Sequence, residues 1–307
     1  VTSKSTTVTR NCLQFTAASP SVGTIVGNCT GGTVSSAIGA NNTSTGTLNI
    51  TGNVTSGSGG SSNGANNSGT GTITITGNVT AGLGATGANN SGTGTLSITG
   101  NVAAGSTANV HGASNGSNGT LTITRNATGG SGTNGHGANN NSTGTLTITG
   151  NATGGSALSY GANNVSTGTI TITGIATGGT IASASGVNNA STGTVNLGRA
   201  KGTAYGPGNT SGLAAAVGAS NAGLGVIEIQ ELEFGQYGMN PTSGTGIRLK
   251  KVSTNQAIFN YVDAGAAKTL VDATQGQMPA VTDVRTGISY ASGALTGICA
   301  VPAAASV

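Results

Sequence analysis

From about residue 46 to residue 197 the chain alternates strictly between apolar and hydroxyl-bearing residues in short bursts: Ile73 and Ile75, Leu96 and Ile98, Leu121 and Ile123, Leu146 and Ile148, Ile170 and Ile172. A period of two is the signature of a strand with one buried face. The intervening threonines then point outward, where β-branching suits a pleated surface. The consensus burst is followed by Gly-Asn, as at Gly77 and Asn78, a pair that tolerates positive φ and predicts a bend. A further inward position follows, occupied by Val54, Val79, Val102, Ala127, Ala152 and Ala176, and small residues recur at Ala40, Ala65, Ala88, Ala113, Ala138, Ala162 and Val187.

These bursts belong to a repeat. The glycine that opens each one stands at Gly46, Gly71, Gly94, Gly119, Gly144, Gly168 and Gly193, with a degenerate first copy at Gly23, a spacing of 23 to 25 residues. The consensus GANNxSTGTLTITGNVTGG is followed by a gap of variable length, so one corner tolerates insertions. A single copy buries about four small apolar side chains, too few to offset the ordering of its backbone. Stacked copies gain ladder hydrogen bonds and like-on-like side-chain contacts on both sides. The prediction is an all-β chain: a parallel β-solenoid (β-helix) of about eight coils over residues 23–225. At about 4.8 Å per coil it would be roughly 40 Å long.

The paired asparagines Asn66 and Asn67, Asn89 and Asn90, Asn139 and Asn140, Asn163 and Asn164, Asn188 and Asn189 then form columns whose amides bond along the stack and satisfy turn backbone. Sequons at Asn53, Asn78, Asn118, Asn126, Asn151 and Asn209 allow the rival reading of N-glycosylation. A second surface feature is the outward rank Thr72, Thr74, Thr76, Thr120, Thr122, Thr124, Thr145, Thr147, Thr149, Thr169, Thr171 and Thr173, interrupted by Asn49, Ser97 and Asn196.

Composition sharpens this picture at residue 225. All six acids, Glu228, Glu231, Glu233, Asp263, Asp272 and Asp283, follow that point, while Lys4, Arg10, Arg125, Arg199 and Lys201 are thinly spread before it. So sparse a set of cations argues against nucleic-acid binding. The 57 glycines would suit a disordered linker, but aliphatic residues at fixed places argue for folded coils. Val226–Phe234 reads as a strand, and Ile247–Val252 with Ala257–Val262 as a hairpin about the turn Ser253–Gln256. Residues 226–278 are therefore expected to form a small antiparallel β module, with 1–22 an N-terminal segment and 279–307 a C-terminal extended assembly segment. Phe234, Tyr237, Phe259 and Tyr261 would serve as its core or as a subunit interface.

Candidate chemistry is scarce. Glycoside hydrolysis needs two carboxylates, and the repeat has none. Lyase chemistry, with its base and acid-bound calcium, is equally unsupported. His111 and His136, 25 residues apart, fall on adjacent coils as exposed residues of the variable gap, too few for a metal site. Cys12, Cys29 and Cys299 are odd in number and far apart, which argues against a disulfide framework; Cys29 reads as a small buried hydrophobe. No enzymatic activity, cofactor or metal is expected. No apolar run reaches eighteen residues, so no membrane span is expected. Opening at Val1 without a secretory apolar region, the chain reads as a processed or partial product.

The coil length and asparagine columns resemble the right-handed parallel β-helix of pectate lyases, phage tailspikes and repetitive adhesins. The segments GVIEIQELEFGQYGMNPTSGTG (225–246) and PAVTDVRTGISYASGALTGICAVPAAASV (279–307), the latter carrying DVRxGxxYxxGxxTG, resemble C-terminal units of repetitive bacteriophage fibre or appendage proteins. That resemblance implies an extracellular virion structural protein, forming a homo-oligomer (trimer or filament) with other virion proteins and displaying a surface for a host glycan. The alternatives are a bacterial cell-surface adhesin, or an ice- or glycan-binding solenoid, since the T-x-T ranks resemble those of β-solenoid ice-binding proteins.

Overall fold

The computed structural model describes residues 11–33, 36–60, 62–156, 158–179, 184–201, 217–221 and 224–233. It also describes the strands Tyr237–Pro241, Ile247–Leu249, Ile258–Asp263, Ala266–Val271, Ser289–Tyr290 and Leu295–Thr296. Two units result, Val1–Lys250 and Lys251–Val307.

The first unit is a parallel β-solenoid. Each repeat supplies three strands: a short ANN strand such as Ala65–Asn67, a central strand such as Thr72–Ile75, and a dipeptide strand such as Val79–Thr80. Every strand pairs in parallel with its counterpart one coil away. Ala65 lies opposite Ala88, Ile73 opposite Leu96 and Val79 opposite Val102. The ANN strands form one ten-stranded sheet in strict sequence order, running from Leu13–Phe15 to Tyr237–Pro241. The expected alternation decides the interior: Ile73, Ile75, Leu96, Ile98, Leu121, Ile123, Leu146, Ile148, Ile170 and Ile172 are wholly buried, each stacked on its equivalent above and below. The alanines of the ANN strands and the valines and alanines of the dipeptide strands close the same core.

The motif glycines are there because coils approach too closely for a side chain. A Cβ on Gly71 would lie 2.0 Å from the carbonyl oxygen of Gly46. At the Gly-Asn corner only Gly27 and Gly52 take positive φ (131° and 146°). The later corner glycines answer to space instead, since a Cβ on Gly77 would lie 2.2 Å from Gly52 O.

Parallel stacking extends past both expected limits. At the start, Leu13–Phe15 of the N-terminal segment pairs with Ala40–Asn42. Further on, Val226–Glu233, expected to open the antiparallel module, pairs in parallel with Thr194–Lys201, Ile227 lying opposite Val195 and Ile229 opposite Leu197. Gly225 takes the motif-glycine place, where a Cβ would lie 2.1 Å from Gly193 O. The inserted residues 202–216 stretch this copy's spacing to 32, which hides it from a period search. The expected hairpin is likewise redrawn: Ile247–Leu249 pairs in parallel with Val226–Glu233. Antiparallel pairing does occur in the second unit, between Ile258–Asp263 and Ala266–Val271, and between Ser289–Tyr290 and Leu295–Thr296. Phe234 lies outside the described residues; Tyr237, Phe259 and Tyr261 are on strands opposite Val217, Leu270 and Lys268.

The cysteine reading is corrected. Cys12 and Cys29 form a disulfide, with Cα atoms 5.7 Å apart. Cys29 is buried among the core residues as expected, opposite Val54 of the next coil. Because Leu13–Phe15 is an ANN strand, Cys12 comes to the start of that strand, and the bond crosses the section of the first coil.

Candidate functional site

Three polar columns and an outward threonine face follow the stacked coils. The second asparagine of each ANN strand points inward and is fully buried: Asn42, Asn67, Asn90, Asn115, Asn140, Asn164 and Asn189. Its Nδ2 donates to the motif-glycine carbonyl four residues on, for example Asn67 to Gly71 O at 3.0 Å and Asn140 to Gly144 O at 3.1 Å. The same Nδ2 reaches a carbonyl of the next coil, as from Asn67 to Thr95 O at 3.1 Å and from Asn90 to Thr120 O at 3.2 Å. The Oδ1 atoms of Asn67, Asn90, Asn140 and Asn164 are buried without a donor, so this column is held by its donations.

The first asparagine of each pair forms an amide ladder. Asn66 Nδ2 donates to Asn41 Oδ1 and Asn89 Nδ2 to Asn66 Oδ1, both at 2.9 Å. Ser114 interrupts it, and it resumes with Asn163 to Asn139 at 2.9 Å and Asn188 to Asn163 at 2.8 Å. Both columns are therefore where the repeat places them.

A third column was not anticipated. Asn28, Asn53, Asn78, Asn101 and Asn126, at the corners after the central strands, each accept through Oδ1 the backbone N–H of the next corner asparagine at 2.8 to 3.2 Å. Asn151 does the same for Ile175 N at 2.8 Å and ends the ladder. Where Ile175 replaces asparagine, the chain no longer turns sharply, and Thr169–Thr177 runs through the corner as one strand with a register shift between Ile172 and Ile175. The signal was present in the sequence as an asparagine recurring at the corner from Asn28 to Asn151, read only as a bend residue. Four sequon asparagines, Asn53, Asn78, Asn126 and Asn151, belong to this ladder. Asn118 accepts from Ser142 Oγ at 3.2 Å, and Asn209 lies outside the described residues.

The threonine rank is in register. Thr72, Thr95, Thr120, Thr145, Thr169 and Thr194 stand in one row, and Thr74, Ser97, Thr122, Thr147, Thr171 and Asn196 in the next. Rows are about 6.6 Å apart along a strand and coils about 4.8 Å apart. Thr76, Thr124, Thr149 and Thr173 make an exposed third row. In that row Thr76 Oγ1 donates to Ile50 O at 3.1 Å and Thr99 Oγ1 to Ile75 O at 3.4 Å. A further row that sequence reasoning passed over stands on the dipeptide strands, at Thr30, Thr55, Thr80, Thr128 and Thr153, broken by Ala103.

The histidine expectation is corrected. His111 and His136 are not exposed loop residues: His136 is only 6% exposed, and their rings stack with centroids 5.0 Å apart and 4° between planes. Tyr160 continues the stack on His136, also at 5.0 Å. The gap's length varies, but in these three copies its last residue enters the stack. Desolvation lowers His111 from 6.5 to about 4; burial, with the neighbouring His111 second, lowers His136 to about 3. Parallel imidazoles at this spacing are too far apart to share one zinc ion through equivalent nitrogens, whose bonds are about 2.0 Å each. Among the described residues no three or more His, Cys, Asp or Glu gather, and none of their helices is long and apolar enough to cross a membrane.

Compared with family models, curated proteins and solved structures, the chain matches none.

Proposed function

We propose that this chain is a structural subunit of an extended virion appendage, with the solenoid as a stiff spacer and the C-terminal residues as its assembly region. The observation that carries the reading is the parallel coil-on-coil pairing from Leu13–Phe15 to Ile247–Leu249, with one register shift between Ile172 and Ile175, reinforced by asparagine columns that bond coil to coil. Such an array resists bending because a bend must break several ladders together. The repeat also offers no carboxylate pair, thiolate or convergent metal ligands around which a reaction could be built. The Cys12–Cys29 bond suits an extracellular location. Homo-oligomers and other virion proteins are the expected partners, without nucleic acid. Proteomics and immunogold labelling of purified virions from the source sample test this. Labelling along a projecting fibre supports it, and recovery only from bacterial envelopes would assign the chain instead to a cell-surface adhesin.

A second reading, recognition of an ordered surface, is favoured by the in-register threonine rows. Methyl and hydroxyl groups repeat there on a nearly constant lattice free of charge, suited to ice or to a glycan. Thermal hysteresis and glycan-array binding of the full chain test it. No ice shaping and no glycan retained at high concentration would remove it.

A further inference from the structure

At five coils the residue just before the ANN-strand element uses its side chain as an acceptor for the coil above, whereas Ile38 has no lone pair to offer. Asn11 Oδ1 accepts the N–H of Ile38 at 3.0 Å, and Asn63 Oδ1 accepts that of Thr86 at 3.2 Å. Thr86 Oγ1 then accepts the N–H of His111 at 3.3 Å. In the next two steps the acceptor is an imidazole: His111 Nδ1 takes the N–H of His136 at 3.2 Å, and His136 Nδ1 takes that of Tyr160 at 3.0 Å. The His136 N–H is shared with Asn134 O at 3.1 Å. Asn, Thr and His thus fill one place in the series, each offering a lone pair to the N–H of the equivalent residue one coil above.

Two members of this series titrate where the others do not. A backbone N–H can only donate, so both Nδ1 atoms must be unprotonated, with the proton on Nε2. Protonating either Nδ1 replaces an acceptor with a donor facing a donor, and protonating both stacks two cations 5.0 Å apart. Nothing nearby compensates. The groups facing the pair are each other and the Tyr160 ring. The first carboxylate in the chain is Glu228, and Arg125, in the corner-glycine place before Asn126, is the one Lys or Arg between residues 11 and 198.

We propose that the corner carrying His111, His136 and Tyr160 is an acid-release point: on acidification the protonated imidazoles let go of the coil above, and this corner opens while the Leu/Ile core and the asparagine columns remain paired. Titration gives the direction. The closed form binds protons less readily than the open one, so closure is fully favoured above about pH 6.5 and is lost as pH falls towards 4 and then 3. The neighbouring acceptors Asn63 and Thr86, and the asparagine ladder across the same coils, do not titrate, which confines the opening.

Hydrogen exchange on the full chain, corrected for intrinsic rates, tests this at the Tyr160 amide. From pH 7.5 to 5.0 its protection is expected to fall on the order of 10-fold for each imidazole involved, while the amides of Asn126 and Asn151 hold theirs. The double variant H111N/H136N places at both positions the acceptor already used at Asn63. It is expected to keep the protection and lose its pH dependence. A Tyr160 amide as protected at pH 5.0 as at 7.5, or a pH dependence that survives in the double variant, would overturn the proposal. Should the variant fail to fold, imidazole nitrogen NMR of the unaltered protein decides: Nε2–H tautomers titrating below 6.5 uphold it, and Nδ1–H tautomers or ordinary titration sink it.

Discussion

Asn53 Oδ1 accepts the backbone N–H of Asn78 at 2.8 Å, 25 residues later and one coil above. Asn78 repeats the contact for Asn101, also at 2.8 Å, so each corner is fixed by the side chain of the corner beneath it. Replacing Asn78 with Ala should cost about 1 kcal/mol and speed exchange at the Asn101 amide. Asn78→Asp keeps an acceptor oxygen and should recover most of the loss. Equal effects of the two variants in urea unfolding would show that the ladder is not what holds the corner.

The inward asparagines carry a heavier penalty. Asn90 is fully buried and donates to Gly94 O at 3.1 Å and Thr120 O at 3.2 Å. Asn90→Ala leaves both carbonyls without that donor and should cost about 2–4 kcal/mol. Asn89→Ala, on the half-exposed neighbour, should cost about 1 kcal/mol. Denaturant midpoints of the two variants give the comparison directly.

Gly116 and Gly119 make an internal control three residues apart. A Cβ on Gly119 would lie 2.4 Å from Gly94 O and 2.5 Å from Asn90 Nδ2, whereas a Cβ on Gly116 meets nothing within 4 Å. Gly119→Ala must push two coils apart and should cost at least about 3 kcal/mol or give insoluble protein. Gly116→Ala should be neutral within about 0.5 kcal/mol or slightly stabilising. Thermal melting of both variants is sufficient to tell.

The first coil has its own lock. The Cys12–Cys29 bond closes a loop with a sequence separation of 17. Reducing it, or substituting both cysteines with Ser, should destabilise that coil by about 3 kcal/mol. Exchange should quicken at Leu13 and Ala40, while Leu121 and Ile123 keep their protection. Before reduction, iodoacetamide should leave Cys12 and Cys29 unlabelled by mass spectrometry.

Some of this was legible from the residues and some was not, for definable reasons. Ile73, Ile75 and their equivalents announce strands because period two has no competing explanation, and Asn66–Asn67 recur too regularly to be incidental. Both sets are set by local geometry repeated many times. His111 and His136 were misread because a gap of variable length suggests a solvent loop, whereas its last residue is held by the next coil's backbone. Cys12 found no partner on paper because Leu13–Phe15 lacks every repeat residue and is recognisable as a strand only by what it stacks against. Val226–Glu233 was set apart by its charges, Glu228, Glu231 and Glu233, yet Ile227 and Ile229 continue the inward pattern of Val195 and Leu197.

The confinement of length variation to one corner has a wider consequence. Because the segment between a dipeptide strand and the following ANN strand can grow without altering the strand register, chain can be added there while the coils keep their pitch. A foreign peptide grafted at that corner would be presented at a spacing fixed by the backbone ladder, about 4.8 Å per coil step. Evolution or an engineer can thus rewrite the outside of this solenoid without touching its interior.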